Sequence, residues 1–453
     1  MPNKLSYYTI ITDPLNSTGD RVIFSTRTSQ ALIIKDNVYD ALISDRVDML
    51  DTGDAQKLLN TKMIVESEEH ELLTIVNENK ENIDSSETLY EVIQVSANCQ
   101  LGCDYCGQHH TKTNLAKDLY KNLLDRIRQK AMKKKYKGLY IGWFGGEPLV
   151  GLRQIRELTP LLKELAEELH LSYGAKIVTN GMSLKENIFL ELVSELNINH
   201  IEVTLDGIAP YHDTRRITKE GSATFDIIFN NLLNILNRDD FALFNCKVSV
   251  RCNVDERNVD GVYPLIELLV KHNLQNKIAY FYPIGVYSWA QNDAQKKSLT
   301  KEEFAELEID WIMEMIMHGF SVSLLPGRVK SVCMAVSPTS DAYDPYGNIF
   351  NCTEVSLTPI YENTPYRAGN LKFPSETYSN VRAHTNWNDE ILEGKFPCHS
   401  CKMLPVCGGA CPKSWHEDMR ACPPNKFNIK KKLQLSYIVA KQDLVELAGE
   451  PIV

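Results

Sequence analysis

The sequence predicts an α/β fold: a parallel sheet of six strand-helix units that curls into a partial barrel open on one side. A small α+β module precedes it and a cysteine-rich region follows it. Three observations lead there. Short apolar runs alternate with helix-period segments from Leu89 to Pro283. Polar turn motifs stand at the ends of several of these runs, where barrel proteins keep their active-site groups. Most of the twelve cysteines fall in two places, one directly after the first run and the other in the C-terminal part.

Residues 1–85 carry alternating segments at Tyr7–Ile11, Arg21–Phe24 and Ala31–Ile34. A short helix follows near Asn37–Ser44, then the apolar positions Leu58, Leu59, Met63, Ile64 and Val65. Strands followed by a helix and another apolar run make a small α+β module, which loosely resembles winged-helix-like domains. The polar stretch Asn77–Glu87 marks a linker. Strands are then expected at Tyr90–Val95, Leu139–Phe144, Ala175–Thr179, His200–Leu205, Cys246–Asn253 and Ile278–Pro283. Helices are expected between them near Leu115–Lys134, Leu152–Leu169, Leu184–Leu196, Phe225–Leu236 and Tyr263–Lys271. Cys246 and Cys252 lie in an apolar strand and read as buried core thiols. Apolar residues from Phe427 to Ala448, with the stop signals Gly449 and Pro451 beyond, predict a closing helix over the core or the barrel opening. The resulting division is 1–85, 89–325, 326–430 and 431–453.

Composition narrows the function. The net charge of -10 gives no global footprint for nucleic acid. The basic run Lys133-Lys134-Lys135 reads as a solvated helix end, where positive charge suits the macrodipole. The start Met1-Pro2-Asn3-Lys4 lacks a secretory pattern and no run of about 18 apolar residues occurs, so a cytoplasmic protein without a membrane partner is expected. Cysteines in a reducing compartment are not a disulfide scaffold, and metal is their expected destination.

The first cysteine group is Cys99, Cys103 and Cys106, spaced Cys-x3-Cys-x2-Cys after the first strand. Three thiolates on one tight loop leave one iron of a 4Fe-4S cube without a protein ligand, open to a cosubstrate. Structural zinc completed by His109 or His110 is the alternative. After the second strand stands Gly145-Gly146-Glu147-Pro148, whose glycines admit a close ligand and whose carboxylate can accept from an ammonium. Thr179-Asn180-Gly181 ends the third strand and Thr204-Leu205-Asp206-Gly207 the fourth. Both read locally as turns. Seven more cysteines, Cys333, Cys352, Cys398, Cys401, Cys407, Cys411 and Cys422, follow, with a hairpin turn expected at Asp344–Asn348, and two zinc sites are the alternative to iron-sulfur there.

These motifs resemble those of the radical S-adenosylmethionine (radical SAM) enzymes. The cysteine spacing with Tyr105 before the last cysteine, the Gly-Gly-Glu-Pro segment, and Leu205-Asp206-Gly207 continued by His212-Asp213-Thr214-Arg215-Arg216 carry the likeness. The later cysteines resemble the SPASM extension of peptide-maturing members. The resemblance implies a partial (β/α)6 barrel in which Cys99, Cys103 and Cys106 hold the SAM-binding 4Fe-4S cluster. Gly145, Gly146, Glu147, Thr179, Asn180, Thr204, Asp206 and Arg216 would contact S-adenosylmethionine. It further implies two auxiliary 4Fe-4S clusters, one on Cys333, Cys352 and Cys411 with an open or borrowed fourth position, the other on Cys398, Cys401, Cys407 and Cys422. The implied oxidoreductase forms a 5′-deoxyadenosyl radical and modifies a ribosomally made precursor peptide through a thioether or side-chain cross-link. Its partners would be that peptide, with the N-terminal module reading the leader, and a flavodoxin- or ferredoxin-like electron donor. Formylglycine formation on sulfatases is the alternative activity. Members with that activity carry Asp after the second-domain cysteine, whereas Cys352 here precedes Thr353-Glu354. A non-catalytic metal scaffold is the alternative of another class, and it would need no Gly-Gly-Glu pocket.

Overall fold

A computed structural model describes residues 2–287, 292–362, 364–374 and 382–448. The N-terminal module contains β1 (Asn3–Leu5), β2 (Thr9–Ile11), β3 (Arg21–Ser25), β4 (Gln30–Ile34) and β5 (Ile64–Glu66). Strands β2, β3 and β4 form one antiparallel sheet, and β1 pairs with β5 in another. The stretch expected to be a linker is instead mostly helix, Glu71–Asp84. Its Ile75, with Leu72 and Ile83 beside it, packs on Trp387 and Ile391. That partner lies far along the chain, which is why local polarity alone misread the segment.

The module does not stand apart. Val22 and Phe24 of β3 share an apolar cluster with Met403, Val406, Ile429 and Leu433. Thr26 Oγ1 donates to the Lys402 carbonyl at 2.7 Å, and Tyr7 Oη to that of Ser400 at 2.6 Å.

Six parallel strands follow: β6 (Thr88–Gln94), β7 (Gly138–Phe144), β8 (Ser172–Thr179), β9 (Ile198–Thr204), β10 (Lys247–Val254) and β11 (Tyr280–Gly285). They lie in sequential order, with helices Tyr120–Lys133, Leu152–Glu168, Glu186–Ser194, Phe225–Leu236 and Val262–Lys271 between them. Alternation decides the two faces. Ile93, Ile141, Trp143, Ile177, Ile201 and Val250 bury one face in the main core. Tyr90, Lys176, Glu202, Arg251 and Tyr282 occupy the other. Cys252 is buried in β10 as expected, but Cys246 precedes the strand and is only half-buried, packed against the margin of the main core.

The sheet does not end with these six. β12 (Asp341–Tyr343) adds parallel to β6, and β13 (Asn348–Phe350) and β14 (Arg367–Asn370) continue antiparallel, giving nine strands among the described residues. The expected turn at Asp344–Asn348 forms, its Asp344 carboxylate accepting from the amides of Tyr346 (2.9 Å) and Asn348 (2.8 Å). At the seam, Glu91 and Asp341 stand directly opposite each other, both fully buried. Lys130 Nζ bridges them at 2.5 and 2.7 Å, and Arg126 and Arg382 each reach Asp341 at 2.7 Å.

The closing helix is Asn425–Ala448. It packs on helix Lys301–Met317, where Asn428 Nδ2 donates to the Ala305 carbonyl at 2.8 Å, and on β3 of the N-terminal module. Gly449 and Pro451, the expected stop signals, lie outside the described residues. Among the described residues no helix is long and apolar enough to cross a membrane.

Candidate active site at the strand ends

The loop Ser96–Cys106 leaves the C-terminal end of β6 and is gripped through its backbone from two sides. The amides of Gly146 and Glu147 donate to the carbonyls of Ser96 (3.1 Å) and Asn98 (2.7 Å). On the far side, Gly102 donates to Ile217 (2.9 Å) and Lys219 to Gln100 (3.0 Å). A Cβ on Gly146 would stand 2.6 Å from the Asn98 carbonyl, and one on Gly145, whose φ is +137°, would stand 2.7 Å from that of Ser96. What the two glycines admit at close range on this side is the cysteine loop.

Glu147 is buried beneath this loop. Its Oε1 accepts from Thr179 Oγ1 (2.6 Å) and the Leu149 amide (3.0 Å), and its Oε2 from the Asn180 amide (2.7 Å). Burial raises its pKa against the pull of those donors. A carboxylate offers about four acceptor directions, so one is left. Asn180 Nδ2 lies 3.6 Å from Cys99 Sγ, which also accepts from the Leu101 amide at 3.4 Å. Burial pushes the Cys99 thiol up to about 12 and that of Cys106 up to about 11, and it raises Cys103 as well. Such thiols keep their protons until a metal displaces them.

Thr204 is buried at the end of β9. Asp206 is 0% exposed and both of its oxygens are engaged within the protein. Oδ2 accepts from Tyr105 Oη at 2.6 Å, and Oδ1 from the amide and Nδ2 of Asn253 at 2.9 and 3.2 Å. Arg216 Nη1 donates to the same Tyr105 hydroxyl at 2.6 Å, while its buried Nε has no hydrogen-bond partner. Glu147 and Arg216 are close enough for their charges to act on each other. One spare acceptor on Glu147 and the unpartnered Nε of Arg216 suit the ammonium and carboxylate of an amino-acid zwitterion. Sequence reasoning had used Tyr105 only as an aromatic of the right type. Its place between Cys103 and Cys106, in a chain whose polar turns converge on that loop, was the available signal.

The seven later cysteines separate into two groups. Cys398, Cys401, Cys407 and Cys422 line one cavity with Trp415 and Lys426, and Lys426 Nζ lies 3.6 Å from Cys422 Sγ. Cys333, Cys352 and Cys411 are close enough for the charges of Cys333 and Cys411 to raise the Cys352 pKa, which burial raises most. The β12–β13 hairpin is what returns Cys352 to Cys333. Among the described residues no three His, Cys, Asp or Glu side chains converge closely enough to share one metal ion. His110, a ligand in the zinc alternative, has a buried Nε2 without a partner, and burial lowers its pKa to about 4.

Residues 93–239 match the family model described as the Radical SAM superfamily. An uncharacterized protein of Synechocystis sp. is 27% identical over 136 residues, 29% of this chain, and the match spans only 33% of that relative. Among solved structures, hexahistidine-tagged anSMEcpe with bound AdoMet is similar over 81% of this chain and 96% of its own, at 18% identity and a TM-score of 0.54. Native anSMEcpe with bound AdoMet and Cp18Cys peptide is similar over 80% of this chain and 99% of its own, at 17% identity and a TM-score of 0.56. Streptococcus suis SuiB bound to precursor peptide SuiA is similar over 93% and 98%, at 14% identity and a TM-score of 0.48. At such identities the anSMEcpe likeness speaks for the fold. The cysteine loop, the Gly-Gly-Glu segment and both polar turns fall within the matched residues, and residues 93–239 of this chain form a radical SAM domain.

Proposed function

We propose that this chain is a radical SAM oxidoreductase that modifies a ribosomally made precursor peptide, closing a thioether or another side-chain cross-link. The reading is carried by the meeting of Asn180 and Glu147 with the three-cysteine loop, since a scaffold that only stored metal would need no zwitterion pocket beside it. Cys99, Cys103 and Cys106 would hold a 4Fe-4S cluster. Bound there and reduced, the cluster with S-adenosylmethionine supplies a radical able to take hydrogen from an unactivated carbon. Glu147 would accept from the cosubstrate ammonium and Arg216 Nε would donate to its carboxylate. Cys333, Cys352 and Cys411 would hold one auxiliary 4Fe-4S cluster and Cys398, Cys401, Cys407 and Cys422 the other, providing a sink for the second electron as the product bond closes.

A peptide substrate is supported by a solved structure of similar fold that contains one. The N-terminal residues 1–85 would read the leader, 89–325 form the barrel, 326–430 carry the auxiliary clusters and 431–453 close the fold. A flavodoxin- or ferredoxin-like protein would deliver the electron.

The test is anaerobic reconstitution with dithionite and S-adenosylmethionine, with and without a candidate cysteine-containing precursor peptide. Formation of 5′-deoxyadenosine, and a peptide lighter by one pair of hydrogens per cross-link, is the expected result. A Ser or Cys converted to an aldehyde would assign formylglycine formation instead. Zinc in place of iron, or no 5′-deoxyadenosine, would refute the reading.

A further inference from the structure

Tyr105 lies between Cys103 and Cys106 on one tight turn, closed by the Cys106 amide donating to the Cys103 carbonyl at 3.2 Å. Its hydroxyl donates to Asp206 Oδ2 at 2.6 Å and accepts from Arg216 Nη1 at 2.6 Å and Asn253 Nδ2 at 3.2 Å. These partners come from three places: the turn after β9, the segment behind it, and β10. Each is itself held. The Asp206 amide donates to His212 Nδ1 at 3.1 Å, leaving the His212 proton on Nε2, which faces Thr224 Oγ1 at 3.1 Å. The Thr224 hydroxyl in turn donates to the Arg216 carbonyl, and Asn258 Nδ2 to that of Asp206 at 3.1 Å. Among the described residues Arg216 makes no direct ion pair, and the Tyr105 hydroxyl stands between it and Asp206. The ring is covered by the Arg215 guanidinium, 4.7 Å from its centroid.

A tyrosine that only filled space would not need three polar partners on its hydroxyl, two of them buried charges. We propose that Tyr105 is a positioning residue whose hydroxyl ties the cysteine loop to Arg216, setting the cluster and the cosubstrate's carboxylate site in one frame. The inference rests on the radical SAM reading above. It gives the His212–Arg216 motif a second task, which is to hold this tether from behind. It also moves Asp206 from cosubstrate contact to support, because its oxygens are already engaged by Tyr105 and Asn253.

The test uses the full chain and its Tyr105→Phe, Tyr105→Leu and Asp206→Asn variants, each loaded anaerobically with iron and sulfide and counted for iron. Electron paramagnetic resonance of the dithionite-reduced cluster is followed as S-adenosylmethionine is added. Tyr105→Phe is expected to keep its iron and to need about ten- to a hundredfold more S-adenosylmethionine for half the spectral change, as for a lost hydrogen bond to a charged group. Asp206→Asn should shift the same way, and the double variant should add little to either, as for residues acting as one unit. If Tyr105→Phe titrates like the wild type while Tyr105→Leu does not, the ring is filler and the tether is overturned. If Tyr105→Phe loses its iron, Asp206→Asn decides, and full iron with a wild-type titration overturns the tether. A wild type that takes up iron but does not respond to S-adenosylmethionine overturns the underlying reading and the tether with it.

Discussion

Replacing Lys130 by Met tests whether the added strand β12 is held to the barrel by charge. Lys130 is the shared cation of Glu91 and Asp341, and both carboxylates are fully buried. Asp341 keeps Arg126 and Arg382 in the variant, whereas Glu91 loses the cation that bridges it to Asp341. Breaking a buried pair from one side costs about 3 to 5 kcal/mol, and the lower end applies because Glu91 can take up a proton instead. At about 3 kcal/mol, amides of β6 and β12 should exchange hydrogen about a hundredfold faster than in the wild type.

The deficit has a defined pH dependence. Burial already pushes the Glu91 carboxyl up to about 7, with Lys130 pulling it down, so removing Lys130 raises it further. A carboxyl whose folded pKa lies above its unfolded value binds more protons when folded, and stability then falls as pH rises through that window. Wild type and variant both hold Glu91 protonated at about pH 6 and differ least there. The gap widens towards about pH 8.5, where only the variant still needs the proton. Hydrogen exchange at both pH values, variant against wild type, measures this, and Lys130→Met combined with Glu91→Gln should recover part of the loss. Unchanged exchange at the higher pH, or a larger gap at the lower one, would refute the electrostatic account of the seam.

Two further perturbations follow from the same structure. Gly146→Ala places a methyl 2.6 Å from the Asn98 carbonyl, a backbone atom with little room to move, so the cysteine loop must shift. Cleavage of S-adenosylmethionine should fall about ten- to a hundredfold with little change in melting temperature, and wild-type cleavage would refute the close-approach argument. Removing residues 1–85 takes away any leader-reading surface and uncovers Met403, Val406, Ile429 and Leu433. With each large apolar side chain worth about 1.5 to 3 kcal/mol when fully buried, the truncated chain should melt several degrees lower. Equal melting temperatures would show that the module contributes recognition alone.

Much of the barrel was legible because its signals are local. A strand and a helix each bury one face, and the resulting periods of 2 and 3.6 are written in the nearest neighbours. The same holds for the turn at Asp344–Asn348 and for the helix end at Lys133. Local reading failed where a distant partner changes the meaning of a residue. Asn77 to Asp84 look like a linker until Trp387 and Ile391 cover the apolar side of their helix.

The site divides in the same way. Residue types and spacing alone singled out Cys99, Cys103, Cys106 and Glu147 as candidates, and the fold brings Glu147 under the loop that carries the three cysteines. Only the tertiary structure decided that Gly145 and Gly146 make room for the cysteine loop, that Asp206 turns to Tyr105, and that β12 extends the sheet beside Glu91. The reason is that a hydrogen bond or an ion pair is chosen by distance in space. Residues far apart in the chain leave no periodic trace by which their meeting could be read.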